Sequence, residues 1–178
     1  MYKKKYALIF CDIQKKVMPH IFNSNLIIQS SHFLYQNASH SNSKIQHINS
    51  YSLLPDKLGP CLLSEKYHLS SINKSTYSVV NQELLDILNK QNIDHVILTG
   101  VETHWCIYQS AYDFLNADKK VIIPKDAIGS QNKDDHESAL NQLYKDGCVE
   151  TTAKGLVSQF YDSIYSDGVK KYISYLKK

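Results

Sequence analysis

A cysteine side chain is the strongest nucleophile a protein offers near neutral pH, and one of the four in this chain stands where a reactive thiol would be placed. The segment Gly100-Val101-Glu102-Thr103-His104-Trp105-Cys106 follows the most hydrophobic strand-like run of the sequence. With Thr103 as the cap of the next helix, Cys106 falls in its first turn, near unpaired backbone N–H groups. That position favours a thiolate by only ~0.3–1 kcal/mol, and an isolated Cys is only about a few per cent thiolate at neutral pH. A nearby cation is therefore required. A Lys ~4 Å away contributes about 4 kcal/mol at an effective dielectric of ~20. A second polar group, Asp12, ends the first apolar run. The remaining thiols, Cys11, Cys61 and Cys148, form no C-x-x-C pair and no zinc-finger spacing, and read as buried small hydrophobes. Cys11 adjoins Asp12, but strand alternation points it to the opposite face.

These groups must be held by regular elements. Strands are expected at 6–11, 45–51, 94–99, 120–123 and 147–151, and helices at 14–36, 81–91, 103–117, 133–146 and 154–166, with a Lys-rich closing helix over 168–177. Strands alternating with helices of this length imply βαβ units, hence a three-layer α/β/α domain around a mostly parallel, Rossmann-like sheet. In such sheets ligands bind at the carboxyl ends of the strands. Asn81 is placed to cap a helix, Gly100 to end a strand, and Asp146-Gly147 to turn into the last strand. The stretch 36–43 reads as a loop tip. The segment 52–76, with Pro55, Gly59 and Pro60, reads as a long irregular and therefore functional loop.

The 178 residues fit a single domain spanning 1–178, with 43% apolar and 21% charged residues, an ordinary globular composition. The net charge of +3 arises from 20 basic and 17 acidic residues, and every basic one is Lys. Without Arg, the bidentate contacts that read guanine and grip phosphate are missing. A nucleic-acid enzyme, suggested by the positive charge and the 13 Tyr residues, is thereby disfavoured. The run 6–11 is too short to span a bilayer and is not followed by a small-residue cleavage site. A soluble cytoplasmic protein, with no membrane association, is expected.

Three segments sharpen this reading: ALIFCDIQ (7–14), KSTYS (74–78) and LTGVETHWC (98–106). In order and spacing they resemble the isochorismatase-like cysteine hydrolases: a strand ending Asp-x-Gln, a Lys-x-x-aromatic-Ser loop, and a Gly-hydrophobic-x-x-x-x-Cys turn. The Gly-Val-Glu-Thr-His-x-Cys form of that turn, the Pro55…Leu58-Gly59-Pro60 loop and IIPKDAIGS (122–130) are similar to the isochorismatase domain-containing proteins. The resemblance implies a triad of Cys106 as nucleophile, Asp12 as general base and then acid, and Lys74 as the balancing cation. It implies hydrolysis of a small amide or related molecule through a thioester. The backbone N–H groups of Cys106 and of Glu102 or Thr103 would hold the oxyanion. It also implies a cis peptide at Val101–Glu102 and a homo-oligomer, dimer or tetramer.

Gln14, Tyr77, Val101, Glu102, Thr103, His104 and Trp105 complete the expected pocket. Against these stand plainer roles: surface positions for Glu102 and His104, a subunit contact for Trp105, core packing for Tyr77. The chain also departs from the family pattern. Nicotinamidases of the superfamily carry a metal-binding Asp-x-His after the second strand, where this chain reads INSYSLLPD. His47 and His68 lack ligand spacing, so no metal and no cofactor are expected, and nicotinamide is disfavoured as substrate. Tyr51-Ser52-Leu53 replaces Thr-Glu-Gln, Gln131 stands where an Arg is usual, and Lys154 where a Glu is. The altered segment leaves open a catalytically idle, oligomeric binding or scaffold protein.

Overall fold

A computed structural model describes residues 4–39 and 45–161. Within them lie seven strands: β1 (Tyr6–Cys11), β2 (Ile45–Leu53), β3 (Ser71–Lys74), β4 (His95–Val101), β5 (Lys120–Pro124), β6 (Ile128–Gly129) and β7 (Val149–Thr151). They form a single sheet in the order β3-β2-β1-β4-β5-β7, with β6 paired to the end of β4, and every ladder is parallel. β1 lies in the middle and is buried at all six positions, as its unbroken apolar run YALIFC demands.

Helices cover both faces. Leu8 and Phe10 pack with α1 (Ser24–Ala38), α3 (Leu62–Tyr67) and α7 (Ala153–Val157). Ala7, Ile9 and Cys11 pack on the other face with α4 (Gln82–Lys90), α5 (Tyr108–Asn116) and α6 (Lys133–Lys145). The short α2 (Pro55–Leu58) lies in the connection after β2. No helix of the described residues is long and apolar enough to cross a membrane.

Several local signals hold. Asn81 caps α4 by accepting a hydrogen bond from the Leu84 N–H at 2.8 Å, and Gly147 turns the chain before β7 with φ +106°. Others need correction. The helix expected over 14–36 is broken: Gln14 forms a bridge to Cys61, a 3-10 turn follows at Met18–His20 around Pro19, and α1 begins only at Ser24 after a left-handed Asn23. The loop 52–76 is not irregular throughout, since it contains α2, α3 and β3. β3 escaped notice because SINK lacks a β-rich apolar pattern; it is an edge strand held by its register on β2. Gly100 lies inside β4 rather than ending it. Of the helix expected over 154–166, α7 covers Ala153–Val157; its residues beyond 161, and the closing helix of 168–177, lie outside the described residues.

Candidate active site

Strand order reverses at β1, with β2 on one side and β4 on the other, so the loops after these strands open a crevice at their carboxyl ends. Cys11 pairs with Tyr51 and with Gly100, and Leu53 pairs with Lys74. This register brings Asp12, Lys74 and the turn after β4 to one point.

Asp12 leaves the strand with φ +55°. Its Oδ1 accepts the Leu53 N–H at 2.7 Å, and its Oδ2 faces the Lys74 ammonium at 2.8 Å. Lys74 Nζ also donates to the carbonyls of Thr76 and Tyr77 and lies 3.4 Å from Cys106 Sγ. Asp12, Lys74 and Cys106 are all buried. Burial pulls the Lys74 ammonium toward deprotonation, but the Asp12 carboxylate beside it outweighs this, and its pKa is raised. It stays charged through the neutral range.

Gln14 is fully buried. Its amide donates to the carbonyls of Leu53 and Gly59 and accepts the Leu53 N–H, so it pins the end of β2 to the loop after α2 and aligns the group that orients Asp12.

The turn after β4 differs from both expectations made for it. The Val101–Glu102 bond is trans, as are the other described peptides. Thr103–Ile107 form a π-turn before α5, with the Ile107 N–H bonded to the Glu102 carbonyl. Thr103 does not cap it. Its N–H donates to Ser130 Oγ at 3.0 Å and its hydroxyl meets His136 Nδ1 at 2.8 Å. The Thr103 N–H is thus committed and unavailable to an oxyanion. His104 Nδ1 lies 3.0 Å from the same Ser130 Oγ and 3.5 Å from Glu102, whose carboxylate accepts the Gln131 N–H. Ser110 accepts the Val79 N–H and donates to the Cys106 carbonyl. The turn after β4 is therefore fastened to Ser130, α6 and the segment after Lys74.

At the mouth, Tyr77 and Trp105 stack with ring centroids 5.8 Å apart. Both are more than half exposed, which excludes core packing for Tyr77. A cleft of about 690 Å³ opens beside them, lined by Leu53, Leu54, Thr76, Tyr77 and Gln109.

Sequence reasoning missed Cys11. Its side chain is buried, yet its Sγ donates to Asp12 Oδ2 at 3.3 Å, and the sulfurs of Cys11 and Cys106 lie within 4.8 Å of each other. Alternation keeps neighbours apart only while the backbone stays extended, and the left-handed Asp12 folds its carboxylate back beside the preceding residue. Nothing in the string of residue types announces that turn. Burial first, then the hydrogen bond to Cys106 and the Asp12 charge, push the Cys11 thiol well above its ordinary range. Burial likewise pushes Cys148 up to about 12. Ordinary thiols titrate near ~8.5, so above that pH the unfolded chain releases these protons while the folded chain keeps them. Stability is then full below ~8.5 and falls as pH rises toward the folded values, by up to ~1.4 kcal/mol per unit for each thiol. Urea melts should show the midpoint dropping between pH 8 and 10, with a shallower drop in Cys148→Ala.

A buried thiol, carboxylate and ammonium thus meet at the switch point of a parallel α/β sheet. Residues 6–155 match the Isochorismatase domain, and the chain belongs to this family. It is 32% identical over 161 residues to isochorismatase family protein 1B of Dictyostelium discoideum, covering 86% of this chain and 77% of that one. It is 28% identical over 158 residues to isochorismatase domain-containing protein 2 of Danio rerio, covering 88% and 79%. Among solved structures, the MAR1 ribonuclease of Caenorhabditis elegans shares the fold with a TM-score of 0.86 at 24% identity, covering 100% of this chain and 92% of that one. The YcaC gene product of Escherichia coli, described as an octameric hydrolase of unknown specificity, has a TM-score of 0.79 at 14% identity, covering 99% and 94%.

Proposed function

We propose that the chain is a metal-independent cysteine hydrolase acting on a small amide or related carbonyl compound. The observation that carries this is Lys74 Nζ standing 2.8 Å from Asp12 and 3.4 Å from Cys106. Cys106 Sγ attacks the carbonyl carbon. Asp12 takes the thiol proton and returns it to the leaving amine, and the resulting thioester is opened by water. Lys74 offsets the repulsion between carboxylate and thiolate. Backbone N–H groups of the π-turn other than that of Thr103 receive the oxyanion. Tyr77 and Trp105 border the entrance and favour a substrate with a flat or apolar portion.

A titratable donor trio, Cys11, Asp12 and Cys106, lies close enough to suggest a metal, but the Lys74 ammonium is already the cation among them. RNA fits less well, because an all-Lys surface lacks bidentate phosphate contacts. The exposed Leu54, Tyr77, Trp105 and Tyr112 favour a homo-oligomer, in keeping with the octameric E. coli neighbour. They also favour the second reading, an idle member that binds partners through these side chains.

The test is acyl-enzyme trapping with a panel of small amides, by rapid acid quench and peptide mass spectrometry. The expected result is substrate-derived mass on the peptide holding Cys106 and on no other cysteine. Amine release without that adduct, or an adduct at another thiol, overturns the assignment. A pseudo-enzyme gives neither adduct nor amine with any member of the panel.

A further inference from the structure

The hydrolytic scheme uses one thiol, yet two stand in the site. Cys11 Sγ lies within 4.8 Å of Cys106 Sγ and 3.3 Å from Asp12 Oδ2. We propose that Cys11 and Cys106 form a modification site for small hydroperoxides, in which Cys106 is oxidised and Cys11 resolves it as a disulfide. This rests on Cys106 being the reactive thiol of the site, as in the hydrolase reading.

Access assigns the roles. Cys106 keeps 4% of its surface exposed, whereas Cys11 has none. A peroxide, little larger than water, therefore meets Cys106 first. Lys74 Nζ, 3.4 Å from that sulfur, stabilises its thiolate and offers a proton to the departing oxygen. Cys106 Sγ attacks one peroxide oxygen and the O–O bond breaks. Cys106 becomes a sulfenic acid, and the other oxygen leaves as water or an alcohol after taking a proton. In the second step the Cys11 thiol gives its proton to Asp12 Oδ2, its existing hydrogen-bond partner. Cys11 Sγ then attacks Cys106 Sγ, and the sulfenic oxygen leaves as a second water with a proton from the site. Two thiols lose two electrons and one peroxide is reduced, so the sequence balances without another reactant.

The burial that keeps Cys11 protonated explains why it does not compete as a nucleophile until Asp12 removes its proton. The gap to the ~2.05 Å of an S–S bond is closed by moving two sulfurs that already lie within 4.8 Å of each other. Cys61 and Cys148 provide internal controls, both buried and neither within this cluster. The modification removes the nucleophile, and a thiol reductant restores it. The same closure protects Cys106 from the irreversible sulfinic state.

The experiment treats the full chain with hydrogen peroxide, alkylates under denaturing conditions and maps the peptides, before and after dithiothreitol. Wild type is expected to become two hydrogens lighter, with peptides containing Cys11 and Cys106 cross-linked, and to revert fully on reduction. Cys11→Ser and Cys11→Ala, checked for folding by circular dichroism, should instead gain two or three oxygens on Cys106 and resist reduction, at least about tenfold more than wild type. Wild type that accumulates sulfinic Cys106 while Cys11 still alkylates overturns the proposal. So does a disulfide involving Cys61 or Cys148, or a Cys106 left unoxidised. If Cys106 forms an acyl adduct with amides but no link to Cys11, this inference fails and the hydrolase reading stands. If Cys106 is inert to both reagents, both fail.

Discussion

Lys74→Met should slow alkylation of Cys106 at neutral pH by about a hundredfold or more. At 3.4 Å and an effective dielectric of ~20, the ammonium attracts a thiolate by about 5 kcal/mol, and relaxation of the site recovers part of the loss. A fall of two decades corresponds to ~2.7 kcal/mol, roughly half of that attraction. Removing one partner of a buried pair also costs about 3–5 kcal/mol of stability, since the Asp12 carboxylate is left without its cation. The double variant Asp12→Asn with Lys74→Met separates the effects. Its neutral pair should regain stability but not Cys106 reactivity. A Cys106 that alkylates at the wild-type rate in folded Lys74→Met would remove Lys74 from the mechanism.

The sheet was legible because its strands are buried on both faces and write themselves as apolar runs: YALIFC for β1 and VILTGV within β4 leave few alternatives. The positions of Asp12 and Cys106 followed, since each ends or follows such a run. Lys74 was a different case. Its strand is short, polar and at the sheet edge, and only the resemblance of KSTYS to a family loop singled it out. The features that escaped are those fixed by backbone conformation or by distant partners. Asp12 at φ +55° puts Cys11 into the site. The π-turn redirects the N–H groups that a regular helix would present. His136 is 33 residues from the hydroxyl it meets. Such contacts depend on register and loop closure, which carry no local periodicity. The family habit of a cis bond misled at Val101–Glu102, which is trans here.

Gly100→Ala should destabilise the fold by roughly 3–5 kcal/mol or more, a large share of the ~5–15 kcal/mol that holds a typical domain together. The residue occupies φ +124°, where an L side chain is strained, and a Cβ there would sit 1.9 Å from the Cys11 carbonyl oxygen and under 3 Å from its carbonyl carbon and amide nitrogen. These are main-chain atoms of the central strand, paired on both sides, so no side-chain rotation relieves the clash. Either β4 separates from β1 at this rung or the chain around Asp12 shifts. Both outcomes move Cys106 relative to Asp12 and Lys74, so whatever folds should also lose selective Cys106 alkylation. Gly147→Ala is the matched control. Its φ of +106° is also positive, but nothing lies within 4 Å of the added carbon, so only backbone strain of about 1–2 kcal/mol remains. Denaturant melts of the two variants side by side measure the difference. A Gly100→Ala protein no less stable than Gly147→Ala would mean that β1 and β4 do not approach this closely, and the crevice that joins the three polar groups would need a different construction.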